Sequence, residues 1–167
     1  MKPQVIPIQE WLEELKQAAQ DLLRTSLRFD RESPAGAKAR AAKKAAVSAE
    51  VGPGAYIAVL GERNAMHLGI STTSEGCHAL ARGLLGMRSD EPLSDKDAVD
   101  GVSEVMNIIA GRVKSQMSDR DHSLRLGMPI FMEQPIQVRE NMERLAADVK
   151  IGPVPCQLMV FKMKQAA

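Results

Sequence analysis

The sequence predicts an α+β fold, a mostly antiparallel sheet with helices packed on one face. Three observations carry this. The segments read as helix, two strands, two helices and then several strands. Consecutive strands lie too close in sequence for parallel crossovers, so neighbours run antiparallel. The helical segments are apolar along one side only, which suits a layer resting on a sheet.

The elements follow in order. Ile8 to Phe29 reads as an amphipathic helix, because Ile8, Leu12, Leu15, Ala19, Leu22, Leu23 and Leu27 recur at helical spacing. Its Glu residues come early and its Arg residues late, as the helix dipole favours. Residues 30–54 are rich in Ala, Lys and Gly and poor in large apolar side chains, so they read as a solvated linker with room for a short helix through 35–46. Lys38, Arg40, Lys43 and Lys44 form a solvated charge run there. The expected organisation is therefore an N-terminal helix over 1–29, a linker over 30–53 and a core over 54–167, in one domain overall.

Ala55 to Leu60 and Ala65 to Ser71 read as the strands of a hairpin, joined by GERN. STTSEGCHALARGLLG opens on capping Ser and Thr and closes on Gly86, outlining a helix. Ser94 is an N-cap, with Asp97 in the acidic role of a capping box, and the helix after it runs to about Met117. Leu124 to Phe131, Ile136 to Arg139, Ala147 to Ile151 and Gln157 to Met163 read as four more strands. The last two are joined through Gly152, Pro153 and Pro155, and Gly127 and Pro129 mark a bulge or an edge in the first.

Composition narrows the function classes. Hydrophobic residues are 44% of 167, enough for a real core, while aromatics are only 3%, so Leu, Ile, Val, Ala and the ten Met must fill it. A net charge of +1 calls for neither nucleic acid nor an acidic membrane. No apolar run is long enough to span a bilayer, and the first residues lack a secretory pattern, so the cytoplasm is the default location. Cys77 and Cys156 are expected to be free, buried thiols. His67, His78 and His122 are scattered, so no zinc site is expected. No Gly-rich phosphate loop or nucleophile elbow is present.

The long helix, DAVDGVSEVMNIIAGRVKSQM, is the informative stretch. At about 100° per residue, Val99, Val102, Met106, Ile109, Ala110, Val113 and Met117 share the side that packs on the sheet. Asp100, Glu104, Asn107, Gly111, Lys114 and Ser118 line the opposite side. Glu104 and Asn107 adjoin there, since residues three apart on a helix are neighbours. Asn and Gly both weaken a helix interior, Gly by about 1 kcal/mol against Ala, and neither has a packing reason on this stripe. Ile108 points outward beside Glu104, and an apolar residue next to a bare Gly lets another protein's surface come close.

SEVMNIIAG resembles the Glu-x-x-Asn signature of the CheC and CheX chemotaxis phosphatases. The wider pattern, an Asp or Ser, three residues, Glu, two residues, Asn and then a Pro a little over twenty residues on, fits Asp100, Glu104, Asn107 and Pro129. AYIAVLGERNAMHLGISTTSEGCHALARGLLG resembles the hairpin and helix that precede the motif, and the likeness spans about residues 54 to 163. One Glu-x-x-Asn rather than two points to the CheX-like branch.

The resemblance implies a phosphatase acting on the phospho-aspartate of a CheY-like receiver. Asn107 would orient the attacking water and Glu104 would pair with the receiver's active-site Lys, with Asp100, Ile108, Gly111 and Lys114 in the contact around them. The chain would need no cofactor of its own, since the receiver supplies Mg²⁺. The resemblance also implies a homodimer joined at a sheet edge, and apolar C-terminal strands such as CQLMVFKM need covering. The alternative is a non-catalytic module of the same fold that binds receivers or the flagellar switch.

Overall fold

The computed structural model describes residues 2–30 and 52–164. The linker expected over 30–53, with its basic run, lies almost wholly outside the described residues.

Helix α1 (Ile8–Thr25) buries Ile8, Trp11, Leu15, Ala18, Ala19 and Leu22. It stops four residues before the expected Phe29, where Ser26 caps Leu22 through its N–H. Leu27 is buried outside the helix, and the Phe29 ring lies where a side chain at Gly83 or Gly152 would be. Helical spacing continued past the helix because the chain keeps packing after it stops winding.

Strands β1 (Gly54–Leu60) and β2 (Ala65–Ser71) form the expected hairpin, in register Gly54↔Ser71 to Leu60↔Ala65. Asn64 belongs to the turn for a different reason from backbone conformation, since among the described residues none other than Gly has positive φ. Its side chain is a buried hub. Oδ1 accepts from the Ile6 N–H at 2.9 Å, and Nδ2 donates to the Gln4 carbonyl at 2.8 Å and the Asp121 carboxylate at 2.7 Å.

Helix α2 (Ser74–Leu85) starts where Thr73 Oγ1 accepts from the Gly76 N–H at 3.0 Å and ends on Gly86 at φ 66°. Helix α3 (Asp95–Met117) starts at Ser94, whose Oγ accepts from the Asp97 N–H at 3.1 Å. Both caps are those expected.

Strands β3 (Arg125–Leu126) and β4 (Ile130–Met132) both pair with β1 and form one interrupted edge strand. Between Val59↔Leu126 and Tyr56↔Ile130 two residues of β1 face three, Gly127 to Pro129, so this is a bulge on an edge. Strands β5 (Met142–Ile151) and β6 (Val154–Met163) form a hairpin whose tight turn places Gly152 at φ 59°. Both are longer than expected, and Pro155 sits inside β6, opposite Lys150.

The strand expected at Ile136–Arg139 does not form. Pro135 has no N–H to give a neighbour. The segment instead crosses from β4 at one edge to β5 at the other, and Ile136 packs on Tyr56, Met159 and Phe161 on the helix-free face.

The sheet order is β3-β1-β2-β6-β5 with β4 beside β3 on β1, and every pairing is antiparallel. The three helices among the described residues contribute to a single apolar cluster, which also takes Ile57, Val59, Leu68, Ile70, Leu158 and Val160 from the strands. The fold is the expected α+β arrangement. The strand CQLMVFKM is not uncovered as expected, because β6 lies between β2 and β5.

Candidate functional site

Helix α3 runs across the helical layer beside both α1 and α2, and beneath it lie β1, β3 and β4. Val102, Val105, Met106, Ile109, Ala110, Val113 and Met117 are buried against the core, whereas Val99, expected on that side, is only half-buried and Val105 joins it instead. With that side fixed, the other must face outward. Asp100 and Glu104 are exposed, and Asn107, Gly111 and Lys114 are half-buried on the same stripe. Asn107 Nδ2 lies 3.5 Å from Glu104 Oε2, the outer limit of a hydrogen bond. The two groups are adjacent but only loosely tied, so either can turn to a partner at little cost. No wall of the protein's own strands covers them.

Ile108 differs from the expectation. It is half-buried and packs on the core cluster rather than standing fully exposed. It therefore offers a partner only the edge of its side chain and helps to anchor the helix. Gly111 matches the expectation, since a Cβ there would meet nothing within 4 Å. Pro129 lies in the edge bulge beside β1.

The helix is held at both ends. At its first turns it lies against α2, and Gly101 allows this, because a Cβ at Gly101 would come 2.5 Å from Ala81 Cβ. Towards its last turns Arg112 Nη2 donates to Thr25 Oγ1 of α1 at 2.6 Å. Beyond its end, Asp121 accepts from Asn64 and from the Ser123 N–H and hydroxyl. The residues that fix the helix come from distant parts of the chain, and sequence spacing alone gave no sign of them.

Elsewhere the chemistry is quiet. A cavity of about 250 Å³ is lined by Cys77, His78, Asp95, Phe131 and Glu133 among others. His78 Nε2 meets Asp95 at 3.0 Å there. Burial pushes the Cys77 thiol up to about 11 and the Cys156 thiol to about 12, so neither is a thiolate at neutral pH. Both are free and buried. Among the described residues, no group of three or more His, Cys, Asp or Glu could hold a metal ion, and no helix is long and apolar enough to cross a membrane.

Residues 54–149, more than half of the chain, match the family model described as chemotaxis phosphatase CheX. The chain belongs to this family. No curated protein matches it. Solved structures share the CheX-like fold at low identity. A CheC-like superfamily protein from Shewanella sp. PV-4 is 15% identical with a TM-score of 0.65, over 92% of this chain and 97% of that one. A CheX–CheY–BeF3–Mg complex from Borrelia burgdorferi gives 14% and 0.63, over 97% and 100%. CheX from Vibrio vulnificus gives 14% and 0.62, over 94% and 99%. The CheX model covers the whole of α3, so the Glu104–Asn107 pair lies within the matched region.

Proposed function

We propose that this CheX-family chain removes phosphate from the aspartyl phosphate of a CheY-like receiver, with α3 entering the receiver's active site. The observation that carries the reading is a carboxylate and a carboxamide, one turn apart, reachable from outside on a helix whose other side is locked to the core. The existence of a CheX–CheY complex with a similar fold supports it.

An acyl phosphate in a receiver already has its metal and a Lys beside it, so what it lacks is a positioned water. Phosphoryl transfer depends on positioning and charge stabilisation far more than on covalent help. The Asn107 amide suits this task, because its oxygen accepts from a water while its NH₂ donates. Glu104 carries the charge that pairs with the receiver's Lys and sets the register of docking. Mg²⁺ comes with the receiver. Asp100, Ile108, Gly111 and Lys114 surround the pair, and the bare backbone at Gly111 lets the partner approach closely. The receiver and the phosphatase would meet in the cytoplasm.

Asn107→Ala is expected to lower kcat by about a hundredfold or more, the usual scale for losing one positioned polar group, while keeping most of the receiver affinity. Glu104→Ala is expected to weaken both. The measurement is the decay of acetyl-phosphate-labelled receivers, with affinity read separately on beryllofluoride-loaded receiver. Wild-type turnover by Asn107→Ala would overturn the mechanism. Binding without any turnover by the wild type would leave only a docking module.

We also propose that two copies pair through β5, the outer strand of the sheet at the edge away from β3 and β4.

A further inference from the structure

Beside the α3 stripe lies a groove of about 220 Å³ between α1 and α3, lined by Glu14, Gln17, Ala18, Asp21, Arg112, Ser115 and Gln116. Its charges are unevenly satisfied. The Arg112 guanidinium is held by Thr25 Oγ1. Asp21 accepts from Gln17 Nε2 at 3.0 Å and has Arg24 at 3.8 Å. Neighbouring acids on α1 are also engaged, Glu10 by Arg120 and Glu13 by Lys16. Glu14 differs from them. It is half-buried, it faces the groove, and it has no hydrogen-bond or ion-pair partner among the described residues. A carboxylate partly withdrawn from water without a cation is a poor arrangement for the free protein and a favourable one for a partner that brings the cation.

The groove is continuous with the reactive stripe. At about 100° per residue, Gly111 and Ser115 fall within about 20° of the line through Glu104. Ser115 is exposed and also lines the groove. It lies about 16 Å from Glu104 along the axis, at about 1.5 Å per residue. A specific protein interface covers about 800 Å² on each partner, a disc of about 16 Å radius. A receiver centred on Glu104 and Asn107 therefore reaches Ser115, at the near edge of the groove.

We infer that the α1–α3 groove is a second contact for the same receiver, in which a Lys or Arg side chain of the receiver sits against Glu14. This rests on the receiver-phosphatase reading and adds a specificity determinant on a different helix. Receivers that carry a basic residue on the side that meets α1 are the preferred substrates.

The test compares wild type, Glu14→Lys, Glu14→Asp and Asn107→Ala on acetyl-phosphate-labelled CheY-type receivers, with affinity measured on the beryllofluoride-loaded forms. Glu14→Lys is expected to raise KM and Kd by about tenfold at low salt with kcat within about twofold, and to flatten the salt dependence of Kd. Glu14→Asp is expected to recover most of the affinity. Asn107→Ala loses kcat and keeps Kd, which separates the two roles. Unfolding curves confirm that each variant folds. If the wild type turns over a receiver and Glu14→Lys keeps wild-type KM and Kd, the groove contact is wrong and the phosphatase reading stands. If the wild type neither binds nor dephosphorylates any receiver, both fall together.

Discussion

Asp121 has no exposed surface, yet it remains a carboxylate in normal use. Burial alone would push its pKa up. Hydrogen bonds from Ser123, Asn64 and the Arg63 backbone outweigh burial and hold it below the usual 3.8. The node ties the extended segment before α1, the β1–β2 turn and the end of α3. Asp121→Ala leaves the Asn64 amide and the Ser123 N–H without their acceptor, and should cost about 3 kcal/mol in urea unfolding. The pH dependence has a definite sign. A carboxylate whose folded pKa is lowered stabilises fully above its unfolded value and loses that contribution as pH falls through the folded value. The wild-type urea midpoint should therefore drop as pH falls below about 4, and Asp121→Asn should lack that part of the drop. An Asp121→Asn curve with the same acid limb would assign it to other carboxylates.

Two glycines on one helix have opposite meanings, and only the folded element shows which is which. Gly101 and Gly111 both look like local losses in the sequence. A Cβ at Gly101 meets Ala81 at 2.5 Å, whereas at Gly111 it meets nothing. Gly101→Ala should force α2 and α3 apart and destabilise by about 1–3 kcal/mol. Gly111→Ala should stabilise by about 0.5–1 kcal/mol, because it relieves helix propensity without a clash. Gly111→Leu should fold as well and lose receiver affinity, since it fills the open window. Calorimetry on all three and a receiver titration on the last would check this, and stabilisation by Gly101→Ala would refute the packing account. The same contrast explains what could be read from the chain. Caps at Thr73 and Ser94, the buried side of α3 and the adjacency of Glu104 and Asn107 follow from local chemistry and period, and they were legible. The early stop of α1, the lost strand at Ile136–Arg139, the half-burial of Ile108 and the partnerless Glu14 depend on which distant surface each segment meets. Spacing carries no information about that. Ile136–Arg139 has strand-like residues, but Ile136 packs across the sheet face rather than along an edge.

At the scale of the whole molecule, the two sheet edges differ. One is broken by the Gly127–Pro129 bulge, which blunts further pairing. The other, β5, is ten residues long with no Pro and no bulge, and among the described residues pairs only with β6. Such an edge presents unpaired N–H and C=O groups, a template for another strand. Its own sequence suits a second copy. An antiparallel twofold centred on Ala146 puts Arg144 of one copy opposite Asp148 of the other, twice, on the helix-free face. In the single chain these two side chains reach the same Gln157 amide, Arg144 at 2.6 Å and Asp148 at 3.1 Å, so both already lie flat along that face. Opposite charges directly across a ladder contribute about 0.2–1 kcal/mol each, and like charges cost a similar amount. Light scattering on the separated protein should therefore find a dimer. Arg144→Asp should weaken it by placing two acids opposite each other at each position, as should Asp148→Arg with two bases. Arg144→Asp combined with Asp148→Arg should restore it, because the swapped pair meets across the same twofold. A double variant no more dimeric than either single one would rule out this register, and a monomeric wild type would rule out the β5 seam altogether.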